Sequence, residues 1–148
     1  MENNYWIVDD LIIFKPKFNE ELINYYNLIN KYKKIMFSNY NDLLIAIKTN
    51  NKCIVDYKNN YIRSKFNQEI DLSNNINLTH LTFGWKFNHG FNIPFNVKSL
   101  NMYRCNNQYI IDNLHNNIEE LKLYYNDLNL DNLPNLPNNI KKNIYSLL

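Results

Sequence analysis

Glycine is almost missing from this chain: it has two in 148 residues, with four prolines, two cysteines and one alanine, Ala46. Two glycines cannot build a GxGxxG turn or a phosphate-cradling loop. No GxSxG elbow occurs either, so the familiar nucleotide-binding and hydrolase signatures are excluded. Cys53 and Cys105 are far apart and belong to no CxxC pair. Two buried, reduced thiols in a reducing compartment are expected, not a disulfide framework. No stretch approaches about 18 consecutive apolar residues. The opening "MENNYWIVDD" has no basic region leading into an apolar run. A cytoplasmic protein without membrane contact is expected. Charge of one sign is lacking too: 16 Lys and Arg stand against 14 Asp and Glu, for a formal net charge of +2. Without a large single-sign field, a dedicated polyanion binder is disfavoured, nucleic acid included.

What the chain has in abundance is asparagine, 32 in all, within a 45% hydrophobic composition that argues against disorder. Its length fits one domain over 1–148. "NLT" at Asn77 is formally a glycosylation acceptor, but nothing else in the chain supports a secretory route.

Internal repeats set the fold class. "FKPKFNEEL" from Phe14, "IRSKFNQEI" from Ile62 and "FGWKFNHGF" from Phe83 share one pattern: apolar, two variable, Lys, Phe, Asn, two variable, apolar. "FSNYNDL" from Phe37 is a looser fourth copy, with Tyr40 and Asn41 in place of the Phe and Asn. A second frame begins at Asn77 ("NLTHLTF"), Asn96 ("NVKSLNM"), Asn117 ("NIEELKL") and Asn139 ("NIKKNIY"), with starts 19, 21 and 22 residues apart. "YKKIMF" from Tyr32 fits it as well. Its alternation of apolar and polar positions is the period of a half-buried strand.

A strand, a turn, a return segment and a second turn fit a period of about 20 residues. Parallel strands would then lie side by side. Gly84 directly follows its strand, and Pro94 fixes φ where the chain turns back in. Phe18, Phe66 and Phe87 are expected to point inward. Asn19, Asn67 and Asn88, next to them, are expected to bond the backbone of their own or the next unit, because an amide side chain both donates and accepts.

The pattern resembles the FNIP repeat, a relative of the leucine-rich repeat found in social amoebae and amoeba-infecting giant viruses. Phe83 to Asn88 carries the "FGxxFN" half and Ile93 to Leu100 the "LPxxLxxL" half. "LHNNIEEL" from Leu114 and "LPNNIKKN" from Leu136 also fit the second half, with His115 in place of the proline and Asn143 in place of the last leucine. The resemblance is strong from Ile62 to Ile144 and weaker before that. It implies an α/β or mainly β fold: a short, irregular leucine-rich-repeat-like solenoid of about six units. A parallel sheet would line its concave face, with loops or short helices on the convex face. The resemblance further implies protein interaction without chemistry, in host cytoplasm for a viral protein.

Residues 1–57 read as degenerate units and 58–148 as clear ones. Leu22, Tyr25, Tyr26 and Ile29 fall at i, i+3, i+4 and i+7, which predicts a short amphipathic helix over 20–30. "LLIAIK" and "KCIVDY" read as a hairpin or an irregular coil. "SNYNDLLIAIKTNNKC" has a faint likeness to part of an F-box. The alternative function is therefore a substrate-recognition subunit of a ubiquitin ligase.

No constellation of catalytic or cofactor-binding residues emerges, and the expectation is a non-enzyme with no cofactor. His80, His89, His115, Cys53 and Cys105 offer no ligand-like spacing for a metal. Glu119 and Glu120 are neighbours on a strand and diverge, a poor acid–base pair. Asp127 and Asp131 read as turn formers. What remains is the set of variable strand positions that project from the sheet. These are Lys33, Lys34 and Met36; Thr79, His80 and Thr82; Lys98, Ser99 and Asn101; and Glu119, Glu120 and Lys122, flanked by Tyr103, Tyr124 and Tyr125. They are the candidate contacts for an unknown protein partner. The ending "YSLL" predicts weak self-association through an end unit.

Overall fold

The computed structural model describes residues 3–51, 62–102, 108–125 and 141–146, with the backbone alone at 49–51, 108, 123–125 and 141–146. Cys53, "KCIVDY", Tyr103, Cys105, Asp127, Asp131 and the start of "LPNNIKKN" lie outside the described residues.

Among the described residues, seven strands form one sheet in chain order: β1 (Tyr5–Val8), β2 (Leu11–Phe14), β3 (Lys34–Phe37), β4 (His80–Phe83), β5 (Ser99–Met102), β6 (Glu120–Tyr125) and β7 (Lys141–Ser146). β1 and β2 pair antiparallel around Asp9, whose φ of 52° lies in a region that Asp visits more readily than most residues. Every later pair is parallel. One row of register partners runs Leu11, Lys34, His80, Ser99, Glu120, Lys141, with spacings of 23, 46, 19, 21 and 21 residues. The fold is mainly β, with short helices α1 (Tyr26–Ile29), α2 (Leu43–Asn51) and α3 (Gln108–Asp112).

The strands begin where the Asn-led frame puts them, and the reason is a repeated turn. The N–H of Tyr32, Leu78, Val97 and Ile118 donates to the carbonyl three residues back, on Ile29, Asn75, Pro94 and His115 (3.1, 3.5, 3.0 and 3.3 Å). Three of these four, Leu78, Val97 and Ile118, are fully buried. The expected helix over 20–30 is instead a 3-10 turn (Leu22–Asn24) followed by α1, broken at Tyr25, whose φ is −112°. Its apolar face is as expected: Leu22 and Ile29 are buried, and Tyr25 and Tyr26 are half-buried against the core.

Two stacks of phenyl rings fill the inside. Phe14, Phe37 and Phe83 close their strands and stack at 5.0 and 5.5 Å. Phe18, Phe66 and Phe87 point inward as expected and stack at 5.8 and 5.9 Å, nearly parallel. The stacks touch each other, with Phe37 at 4.0 Å from Phe66 and Phe83 at 3.8 Å from Phe87. This corrects the fourth copy of the motif. Phe37 and Phe66 do for one unit what Phe14 and Phe18 do for the unit before it. An insertion containing α2 separates them and accounts for the 46-residue spacing. Ile62, which the motif aligns with Phe14 and Phe83, is exposed.

Beside the inner stack runs the expected asparagine ladder. Asn19 Oδ1 accepts the Asn67 N–H, and Asn67 Oδ1 accepts the Asn88 N–H, both at 2.9 Å. A second ladder stands at the strand starts: Asn96 Nδ2 donates to the Ile76 carbonyl, and Asn117 Nδ2 to the Phe95 carbonyl at 3.0 Å. Asn67→Ala should cost about 1 kcal/mol in chemical denaturation by removing one acceptor. Asn67→Asp keeps that acceptor and should be close to neutral. Equal losses in the two variants would mean that the rung contributes nothing.

Candidate functional site

Strand alternation sends Ile35, Leu81, Leu100 and Leu121 into the core and turns their neighbours to the second face of the sheet. The register assembles those neighbours into rows. Lys34, His80, Ser99 and Glu120 form one row; Met36, Thr82, Asn101 and Lys122 form the next. A third group precedes the strands: the Lys33 carbonyl accepts from Thr79 and His80, Thr79 from Lys98 and Ser99, and Lys98 from Glu119 and Glu120, at 2.8 to 3.2 Å. The predicted residues are therefore brought together strand by strand.

Their exposure differs sharply. Lys33, Lys98 and Glu119 are exposed, while Lys34, Thr79, His80 and Glu120 are half-buried. Met36 is fully buried: with Leu11, Ile13 and Ala46 it forms a small second core, on which Trp6, Leu43 and Ile47 pack. It is no open contact residue, because α2 lies over that end of the face. Thr82 and Asn101 are also buried, joined by an Asn101 Nδ2 to Thr82 Oγ1 hydrogen bond of 3.1 Å. Ser99 is buried beside them. Lys122 is buried as well, with its Nζ 2.7 Å from Glu120 Oε1; a lysine so placed needs that carboxylate to offset its desolvation. Tyr124 and Tyr125 contribute backbone to β6, and Tyr103 lies outside the described residues.

His80 is the titratable centre of the face. Burial pushes its pKa below the ordinary 6.5, and the Lys34 ammonium adds to that, against opposing pulls from Glu120 and Asp10. Its Nδ1 lies 2.8 Å from Thr79 Oγ1, which also reaches the Lys33 carbonyl at 3.2 Å. Because the folded chain resists a proton that the unfolded chain takes up near pH 6.5, stability is complete above that pH. It declines as pH falls from there through the lower folded value. His80→Gln should flatten this part of the curve in melts between about pH 7 and pH 5. A slope identical to wild type would place the titration elsewhere.

The alignment of rows was legible in the sequence, but three other contributors were not read. Asn39 Oδ1 accepts the Ser64 and Trp85 N–H groups (2.7 and 3.1 Å), joining two units by one amide. Asn75 Nδ2 donates to the Ile29 and Tyr32 carbonyls. His115, which replaces a proline in the motif, contacts the Pro94 carbonyl through Nε2 at 2.9 Å and accepts the Asn117 N–H at Nδ1. The recurrence of Asn at 77, 96 and 117 was the available signal for the second ladder. Among the described residues, no group of three or more His, Cys, Asp or Glu could hold a metal ion. Nor is any helix among them long and apolar enough to cross a membrane. No protein-family model, curated protein or solved structure matches the chain.

Proposed function

We propose that this chain is a non-enzymatic protein-interaction module, built as a short leucine-rich-like solenoid of FNIP type and working in the cytoplasm. The observation that carries the reading is the register. Side chains of like position on successive strands form rows on a backbone that the ladders cross-link, so a partner meets a repeating pattern of groups. The usable part is the exposed border of the sheet around Lys33, Lys98 and Glu119, with Thr79, His80 and Glu120 behind it. Charge of both signs lies along it, Lys33 and Lys98 followed by Glu119, which favours a partner of complementary pattern over one of uniform sign.

Affinity capture from the native cell tests this, comparing wild type with a Lys98→Glu/Glu119→Lys variant. A protein retained by wild type and lost by the variant, at equal melting temperature, supports the reading. Retention indifferent to both changes removes this border as the contact. The alternative, a ubiquitin-ligase subunit with a degenerate F-box, requires an adaptor docked on the N-terminal third of the chain.

A further inference from the structure

The repeated motif fixes a lysine as well as a phenylalanine and an asparagine. Lys17, Lys65 and Lys86 each stand immediately before a ring of the inner stack, and all three are exposed. Because the rings that follow are 5.8 and 5.9 Å apart, and the asparagines after them are joined rung to rung, the three lysines lie in a column up the side of the fold. Lys65 N–H donates to the Pro16 carbonyl at 2.8 Å, which fixes it beside Lys17.

Two more cations join the column, each over an indole. The Lys15 ammonium lies 5.0 Å from the Trp6 ring centre, and the Arg63 guanidinium lies 4.5 Å from that of Trp85. Trp6, Lys15 and Lys17 also border a recess of about 330 Å³ that Asn3, Asn4 and Asn41 complete. Among the described residues, none of the five cations pairs with a carboxylate; the ion pairs there are Lys34 with Asp10 and Lys122 with Glu120. Of the acids close in sequence, Glu20 is bonded to Tyr25 and Asn4 and Asp42 caps α2 through the Ile45 N–H, while Glu21 and Glu69 are exposed beyond the asparagines. A column of like charges at this spacing is unfavourable by itself and favourable to an anion laid along it. Among the described residues, no ion pair neutralises these five charges.

We propose that this column binds an acidic, extended segment of a protein partner. Alternate side chains of an extended strand project to one side about 6.6 Å apart. Carboxylates on every second residue therefore nearly match successive lysines. Single-stranded nucleic acid is the less favoured polyanion, because it gains most from bare aromatic platforms and both tryptophans here already carry a cation. The site is separate from the sheet border and stands or falls independently of it.

The test is fluorescence anisotropy at low salt with two labelled probes, a peptide of alternating Glu and Ser and an oligothymidylate of equal charge. Wild type should bind the peptide saturably and in preference to the oligonucleotide. Lys17→Ala/Lys65→Ala/Lys86→Ala should weaken the peptide at least about tenfold and flatten the salt dependence. Lys31→Ala/Lys33→Ala/Lys98→Ala, with the same loss of charge, should change it less than about twofold. Thermal melts should leave the column variant at or above wild type, since a repulsion has been removed. No saturable peptide binding, equal losses in the two triple variants, a loss confined to the Lys31/Lys33/Lys98 variant, or preference for the oligonucleotide each overturns the proposal.

Discussion

Gly84→Ala should destabilise the fold by about 3 kcal/mol or more, one of the two largest losses expected from a single substitution. Gly84 has no positive φ, so conformational freedom is not the reason for the glycine. The reason is closeness: a Cβ there would stand 2.2 Å from Ser64 Cβ, 2.7 Å from Ser64 Oγ and 2.9 Å from Asn39 Oδ1. Carbon atoms attract best at about 3.5 to 4.0 Å, so the backbone at Gly84 or Ser64 must retreat by more than an ångström. It cannot do so cheaply, because Asn39 Oδ1 ties the Ser64 and Trp85 N–H groups together on either side of the contact. Adding Ser64→Gly removes both crowding atoms of that side chain. Although Ser64→Gly alone should cost about 1 kcal/mol, the double variant should be more stable than Gly84→Ala. The check is a double-mutant cycle in chemical denaturation. A loss below about 1 kcal/mol for Gly84→Ala, or strict additivity in the cycle, would mean that the two segments do not abut.

The repeating part of the sequence could be read because the inward ring, the asparagine beside it and the strand start meet like environments in successive described units. The Asn77, Asn96 and Asn117 frame put β4, β5 and β6 in place, and the K-F-N motif foretold the inner ring stack and the ladder from Asn19 to Asn88. Gly84 was noticed, but for its turn; a clash with Ser64, 20 positions away, has no local trace. The insertion defeated the reading for a different reason. "LLIAIK" is a short apolar run, which period alone cannot assign to strand or helix. Its helical signal was a subtler one, Asp42 at the N-cap followed by Leu43, Ala46 and Ile47 on one side. Missing α2 had a consequence for the candidate site, since Met36 was taken as an open position and is covered by that helix. The burial of Thr82, Asn101 and Lys122 was equally out of reach, because outward-pointing strand positions normally face solvent. Both errors concern what lies on top of a strand, whereas pattern reports only which way the strand's side chains point.

Phe37→Ala should cost about 3 to 5 kcal/mol, the range for removing a large side chain from a core that cannot collapse around the gap. Phe37 is fully buried and is the crossing point of the two ring stacks, with Phe14 at 5.0 Å, Phe18 at 6.5 Å, Phe66 at 4.0 Å and Phe83 at 5.5 Å. Four neighbouring rings lose contact at once. Those rings come from three consecutive units and are held by the sheet on one side and the Asn19–Asn67 rung on the other, so little relaxation is available. For a chain of this size the loss corresponds to a melting temperature lower by about 10 to 15 °C. Phe37→Leu separates the contributions: it keeps most of the apolar volume and forfeits the ring-to-ring geometry, worth about 0.5 to 1.5 kcal/mol per pair beyond area. A Leu variant nearly as damaged as the Ala variant would show that stacking order, more than volume, unites the units. If both variants lose less than about 1 kcal/mol, Phe37 is not at the junction, and Phe37 and Phe66 do not belong to one unit.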